Sequence, residues 1–187
     1  SICGEIAYNE ITVPRGGEYK VTLDDGTRIW VNSESYIRFP VVFHGDERRI
    51  WVSGEVFLEV TKDAERPFIV NTEKLDIKVL GTQFNVRAYP DEKCIQTTLV
   101  EGCVQVDNLR GKVAVLLPSE QLVYDALDGN HEVREVDTEL YVSWKDGVYM
   151  FVSQRLEDIM SLISKWYDVD VFYQNSAVKD IIFSGRL

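Results

Sequence analysis

From Glu18 onward apolar and polar residues alternate with a period of two, the pattern of strands with one face buried and one face wet. In YKVTL (Tyr19 to Leu23) the residues Tyr19, Val21 and Leu23 share a face, and TRIWVN (Thr27 to Asn32) resumes the pattern after Asp25-Gly26. Asp-Gly between two such runs signals a hairpin, because both residues tolerate the left-handed backbone of a tight turn. A second turn is expected around Ser33 to Ser35, before YIRFPVVF. RRIWVSGEVFLEV (Arg48 to Val60) reads as two short strands broken at Gly54, with Phe57 and, further on, Phe84 turned inward. PFIVNT, LDIKVLGTQFNVRAY and IQTTLVEGCVQVD continue in kind, rich in β-branched and aromatic residues. No helical period is sustained, so an all-β block is expected to about Val136. Gly54, Gly81 and Gly102 recur at intervals of roughly twenty to thirty residues, which suits coils of a short β-solenoid or neighbouring hairpins of a sandwich.

The pattern changes after Asp137. LYVSWKDG (Leu140 to Gly147) leads to VYMFV (Val148 to Val152), a candidate strand. Ser153 is a candidate helix cap, and Glu157 falls where an acid complements the helix dipole. Leu156, Ile159, Met160, Ile163, Trp166 and Tyr167 then share one helical face. VDVFY (Val169 to Tyr173) and DIIFS (Asp180 to Ser184) read as strands. The expected fold is therefore mainly β: a solenoid or sandwich-like domain over residues 1–137, then a small βαββ unit over residues 138–187. Three strands and one helix leave a sheet edge open. The unit is expected to continue past Leu187 in the natural protein.

Composition narrows the partners. A chain of 187 residues with 45% hydrophobic content can bury a core without metals or disulfide staples. Its 20 basic residues against 31 acidic ones give a net charge of -11, which repels nucleic acid and anionic lipid. No run approaches the roughly 18 apolar residues that span a bilayer. Cys3, Cys94 and Cys103 have no CxxC or zinc-type spacing and read as isolated thiols at partly buried strand positions.

Candidate chemistry is sparse. His44 and His131 stand far apart, without metal-ligand spacing, and GxSxG, P-loop and GxGxxG motifs are absent. Glu55 and Glu59 share a strand face and could form the carboxylate pair of a glycoside hydrolase. Against that, Glu55 could simply pair with Arg48 or Arg49. Trp30, Trp51, Trp144 and Trp166 could serve as stacking surfaces in a carbohydrate-binding or adhesion module, Trp30 lying on the opposite face from Ile29 and Val31. No metal or cofactor is expected.

The order of motifs resembles the FecR family of membrane-anchored anti-sigma regulators. The resemblance runs through VPRGGEYKVTLDDGTRIWVNSES (Val13 to Ser35), RRIWVSGEVFLEVTKDAERPFIV (Arg48 to Val70), VLGTQFNVRAYPD (Val79 to Asp91), TLVEGCVQV (Thr98 to Val106) and LLPSEQLVY (Leu116 to Tyr124). The tail, Trp144 to Tyr173 and Phe183 to Leu187, is similar to the C-terminal region of Bacteroidota members. It also looks like the first half of the short domain found in secretins and TonB-dependent receptors. Pro118-Ser-Glu-Gln121 departs from the family's Pro-Gly-Gln.

The resemblance implies a non-enzymatic periplasmic sensor, anchored through an inner-membrane helix before Ser1. It would relay the substrate-loading of an outer-membrane TonB-dependent transporter to an extracytoplasmic-function sigma factor, the latter held by a cytoplasmic region outside this chain. On the residues, the open edge formed by Val169, Val171 and Tyr173, or by Ile181 and Phe183, is the place to accept a strand from the receptor's periplasmic signalling domain. The same edge would let two copies pair as a homodimer. Leu156, Ile159 and Ile163 are expected in the core.

Overall fold

The computed structural model describes residues 6–187, so Cys3 lies outside them. It begins with β1 (Tyr8–Val13), β2 (Tyr19–Thr22), β3 (Arg28–Val31), β4 (Ser35–Pro40) and β5 (Arg48–Glu59). There follow β6 (Phe68–Asn71), β7 (Asp76–Val79), β8 (Gln83–Ala88), β9 (Cys94–Glu101), β10 (Val104–Asn108), β11 (Gly111–Leu116), β12 (Glu120–Asp125) and β13 (His131–Glu135). The C-terminal region holds α1 (Glu139–Val142), a 3-10 turn (Ser143–Asp146), β14 (Met150–Arg155), α2 (Leu156–Tyr167) and β15 (Ile182–Arg186).

Arg48 to Glu59 form one twelve-residue strand, where two short ones were expected. Its first half pairs with β4 on one side and with β6 on the other; its second half pairs with β3 and β8. Two sheets thus share β5 and wrap into a nearly closed, barrel-like whole. The ladders are antiparallel except for β5 with β6, which places the fold on the sandwich-like side of the expectation rather than among stacked parallel coils.

Gly54 sits where β5 passes from one sheet to the other. Its φ is 103°, and a Cβ there would lie 2.7 Å from the Cα of Ser35. Ser35 uses that proximity: its Oγ accepts the N–H of Glu55 at 2.9 Å. The glycine bends the strand without ending it, because only a residue lacking a side chain fits against β4.

Even-numbered residues of β5 point inward. Ile50, Val52, Val56 and Leu58 join Phe68, Ile77, Phe84, Leu99, Val104 and Leu122 in one buried core. At the mouth of the strand Arg48 is fully buried, donating to Asp25 at 2.7 Å and to the carbonyls of Thr61 and Arg66 at 2.9 Å each. Asp25 also accepts the N–H of Thr27 at 2.9 Å, so the expected hairpin turn between β2 and β3 is tied to the core by an ion pair.

The C-terminal unit is β-α-β. α2 covers residues 156–167 as its apolar stripe predicts, with Ile159 buried and Leu156 and Ile163 half-buried. Two details differ from expectation. Ser153 lies within β14 in a left-handed conformation (φ 50°), and the helix starts after Arg155 with no side-chain cap. Val169 to Tyr173 form no strand: among the described residues β14 pairs with β15 alone, and the alternating segment has no ladder partner and stays irregular. Among the described residues no helix is long and apolar enough to cross a membrane.

Gly54→Ala is expected to destabilise the chain by roughly 3 kcal/mol or more, the sum of a strained φ and an overpacked contact with Ser35. Urea unfolding of the two proteins measures it; a loss below about 1 kcal/mol would show that β5 can bend otherwise.

Candidate functional site

The outward face of β5 carries the odd-numbered residues Glu55, Phe57 and Glu59. Arg87 on β8 lies directly opposite Glu55, and Asn85 opposite Phe57. Asn32 follows the end of β3 and is bonded through its backbone N–H to the Glu55 carbonyl at 3.0 Å. These positions converge because β3 and β8 flank the same half of β5.

Glu55 is buried and accepts three hydrogen bonds: from Asn85 Nδ2 at 2.9 Å, from Asn32 Nδ2 at 3.0 Å and from Arg87 Nη1 at 3.0 Å. A carboxylate can only accept, so both amides must turn their NH2 groups toward it. Their carbonyl oxygens then face the C-terminal unit. Indole N–H groups, which can only donate, complete the match: Trp144 Nε1 donates to Asn85 Oδ1 and Trp166 Nε1 to Asn32 Oδ1, each at 3.0 Å. Arg87 also grips Glu92, at 2.8 Å through Nε. Burial works against the Arg87 charge, but Glu55 and Glu92 more than offset it and hold the guanidinium firmly protonated.

Beside the cradle lies a second, smaller apolar cluster. Phe57, Val142 and Trp144 form its centre, with Trp30, Val100, Tyr141 and Trp166 around them. Phe84 enters the main core as expected, whereas Phe57 is buried on the opposite face, beneath the 3-10 turn. Trp30 is correspondingly half-buried, edge-on to Phe57 at 5.6 Å. Between the β domain and α2 runs a cleft of about 470 Å³, lined by Gln96, Arg134, Tyr149, Gln154, Asp158 and Ser161 among others. Burial pushes the Tyr149 hydroxyl up to about 12, against the pull of Arg87 nearby.

The end of α2 is held from the other side. Arg15 Nη2 donates to the carbonyls of Ser164 at 3.1 Å and Val169 at 2.8 Å, and the Gly16 N–H donates to the Lys165 carbonyl at 2.7 Å. Burial lifts the Tyr89 hydroxyl above its ordinary range, with Glu55 adding to the effect. The Lys165 ammonium sits 4.0 Å from the centre of the Tyr89 ring and 3.3 Å from Asp91.

The residues singled out in the sequence fall into two places. Glu55 and Glu59 do share a face, yet Glu59 pairs with Arg28 while Glu55 is engaged by three donors, so they do not form an acid pair over a substrate. Arg48 and Arg49 are engaged elsewhere, with Asp25 and with Glu47 and Asp76. Val169, Ile181 and Phe183 are exposed, Val171 and Tyr173 half-buried. Of these only Phe183 lies on a strand; Ile181 precedes β15, and its carbonyl accepts the Leu156 N–H at 2.8 Å. His44 and His131 are exposed, the latter stacked on Tyr124. Cys94 is half-buried at the start of β9 and Cys103 exposed between strands. Asn32, Asn85 and Arg87 escaped the sequence reading. Their only signal is polarity on the outward phase of strands whose neighbours are apolar.

Residues 9–105 match the family model described as FecR protein, and residues 148–187 the one described as FecR, C-terminal. Two crystal structures from Parabacteroides distasonis ATCC 8503, each provisionally described as an anti-sigma factor, superpose on this chain with a TM-score of 0.87. Identity is 30%, over 96% of this chain and 84% of that one. No curated protein matches. The architecture is that of an anti-sigma factor, a β-rich domain with a small βαβ unit seated on it. The chain belongs to the FecR family, which is one of signalling regulators rather than of known enzymes.

Glu55→Gln should cost about 2–3 kcal/mol in stability. The new amide must turn its own NH2 toward one of the asparagines, so one of the two indole bonds is lost. Urea unfolding followed by tryptophan fluorescence measures both effects; unchanged stability and emission would show that the cradle does not depend on the charge.

Proposed function

We propose that this chain is the periplasmic signalling portion of a membrane-anchored anti-sigma regulator. It relays the substrate-loading of an outer-membrane TonB-dependent transporter to an extracytoplasmic-function sigma factor, and it does so by protein–protein contact alone. In this reading residues 1–137 form the sensor scaffold and residues 138–187 the element that meets the receptor's periplasmic signalling domain. A cytoplasmic region beyond this chain engages the sigma factor.

Membership of the FecR family supports the regulatory role, and one structural observation carries the choice of surface. Among the described residues β14 and β15 pair only with each other, which leaves this two-stranded ladder with free edges there, and Ile182 and Phe183 on β15 are exposed. A two-stranded ladder gains from a third strand, whose backbone supplies affinity and whose alternate side chains supply selectivity. β15 therefore takes over the role first given to Val169, Val171 and Tyr173, with Phe183 on the strand and Ile181 just before it. Pairing of two copies through this edge competes with the receptor in the same reading.

Titration of the chain with the purified periplasmic domain of the neighbouring receptor tests it. Ile182→Asp and Phe183→Asp should each weaken binding by about tenfold or more, a loss of roughly 1.4 kcal/mol, with the thermal midpoint unchanged. Equal affinity in wild type and variants would remove β15 as the contact. Sedimentation across concentrations separates receptor binding from self-pairing.

A further inference from the structure

The C-terminal region is attached to the β domain in two physically different ways. Residues 139–146 are sealed down: Val142 and Trp144 are each 4% exposed and pack on Phe57, itself 1% exposed. Dry aromatic contacts of this kind resist separation, because parting them returns large apolar surfaces to water.

The rest of the unit, β14–α2–β15, meets the apolar cluster at its rim, through the half-buried Trp166, and is further attached by polar groups. Trp166 gives one hydrogen bond to Asn32, while Arg15 and Gly16 bind carbonyls at the end of α2. Arg15 also lies 3.5 Å from the exposed carboxylates of Asp168 and Asp170, and Lys165 lies 3.3 Å from that of Asp91. The cleft beneath, about 470 Å³ and lined by polar and apolar side chains alike, separates α2 from the strands. Water replaces such contacts at small net cost.

Between the two attachments stands Gly147. It closes the 3-10 turn in a left-handed conformation (φ 75°), and a Cβ built on it would touch nothing within 4 Å. The Val148 N–H, bonded to the Ser143 carbonyl at 3.2 Å, is the backbone bond that crosses this point.

We infer that the βαβ unit has a docked and a released position, hinged at Gly147. Trp144 is the fixed anchor, and the contacts of Trp166, Arg15 and Lys165 are the latch. Glu55 sets the latch, since it orients the Asn32 carbonyl that receives Trp166. Release uncovers Asn32, Glu55 and Arg87 while Asn85 stays covered by Trp144. A partner strand on β15 can thereby change what the β domain presents, without touching the β domain. The inference concerns the chain by itself, so its failure would leave the role of β15 in partner binding standing.

The test uses the full chain carrying Arg15→Ala and Trp166→Phe, which remove the Arg15 and Trp166 bonds of the latch and keep an aromatic ring in place of the indole. Backbone 15N relaxation should show residues 150–187 tumbling faster than the β domain, and limited proteolysis at residues 146–149 should rise by about tenfold or more. Exchange protection of β5 and β8 amides should stay as in the wild type. Common tumbling of both parts in the variant, or loss of β5 and β8 protection together with release, overturns the inference. Wild-type chain offers a second measurement free of any folding defect. Raising salt from about 0.05 to 1 M screens the Arg15 and Lys165 pairs, so the unit's relaxation should shift toward that of the variant; no shift with salt counts against the latch.

Discussion

A single buried carboxylate decides how the two parts of this molecule meet. Glu55 accepts from three donors, and because it cannot donate it dictates which end of each neighbouring amide faces outward. Two carbonyls are thereby presented at fixed positions, and two indoles from separate elements find them. In a low-dielectric setting such a network is strong when complete and costly when any member lacks a partner. The Glu-Val-Phe sequence of β5 therefore has two faces with two tasks. Val56 fills the main core, while Glu55 and Phe57 supply the polar and apolar halves of a seat.

The strand pattern, the Asp25-Gly26 hairpin and the helix over residues 156–167 were legible because each rests on a local period or a local turn rule. The misreadings share a cause: they needed knowledge of neighbours. A glycine that ends a strand and one that bends it look alike in sequence, and only Ser35 pressed against Gly54 tells them apart. Val169 to Tyr173 alternate like a strand, but a strand exists only where a ladder partner lies alongside. Phe57 was correctly expected inside, yet inside here means under Trp144, an element some 87 residues further along the chain. The cradle was hidden for the same reason, since Asn32, Glu55 and Asn85 come from three strands' worth of sequence.

The motifs that place the chain in the FecR family therefore do more than fill a core. The Gly-Glu of β5 and the Phe-Asn-Val-Arg of β8 build the seat on which the C-terminal unit rests. The exposed apolar groups of β15 lie on the seated part. The C-terminal unit and the scaffold are thus joined through side chains whose chemistry is acceptor against donor, with little room for substitution by residues of similar size.

Sharing β5 between both sheets has a kinetic consequence. Neither sheet has a complete set of neighbours until this strand is in place, and its partners β3 and β8 are drawn from positions about 25–30 residues away on either side. Chains dominated by such distant pairings close costly loops before any contact rewards them, and they fold on the scale of roughly milliseconds to seconds. The C-terminal unit, whose seat exists only after β3, β5 and β8 have come together, can dock only at the end of that sequence. The scaffold is thus complete before the C-terminal unit is set in place.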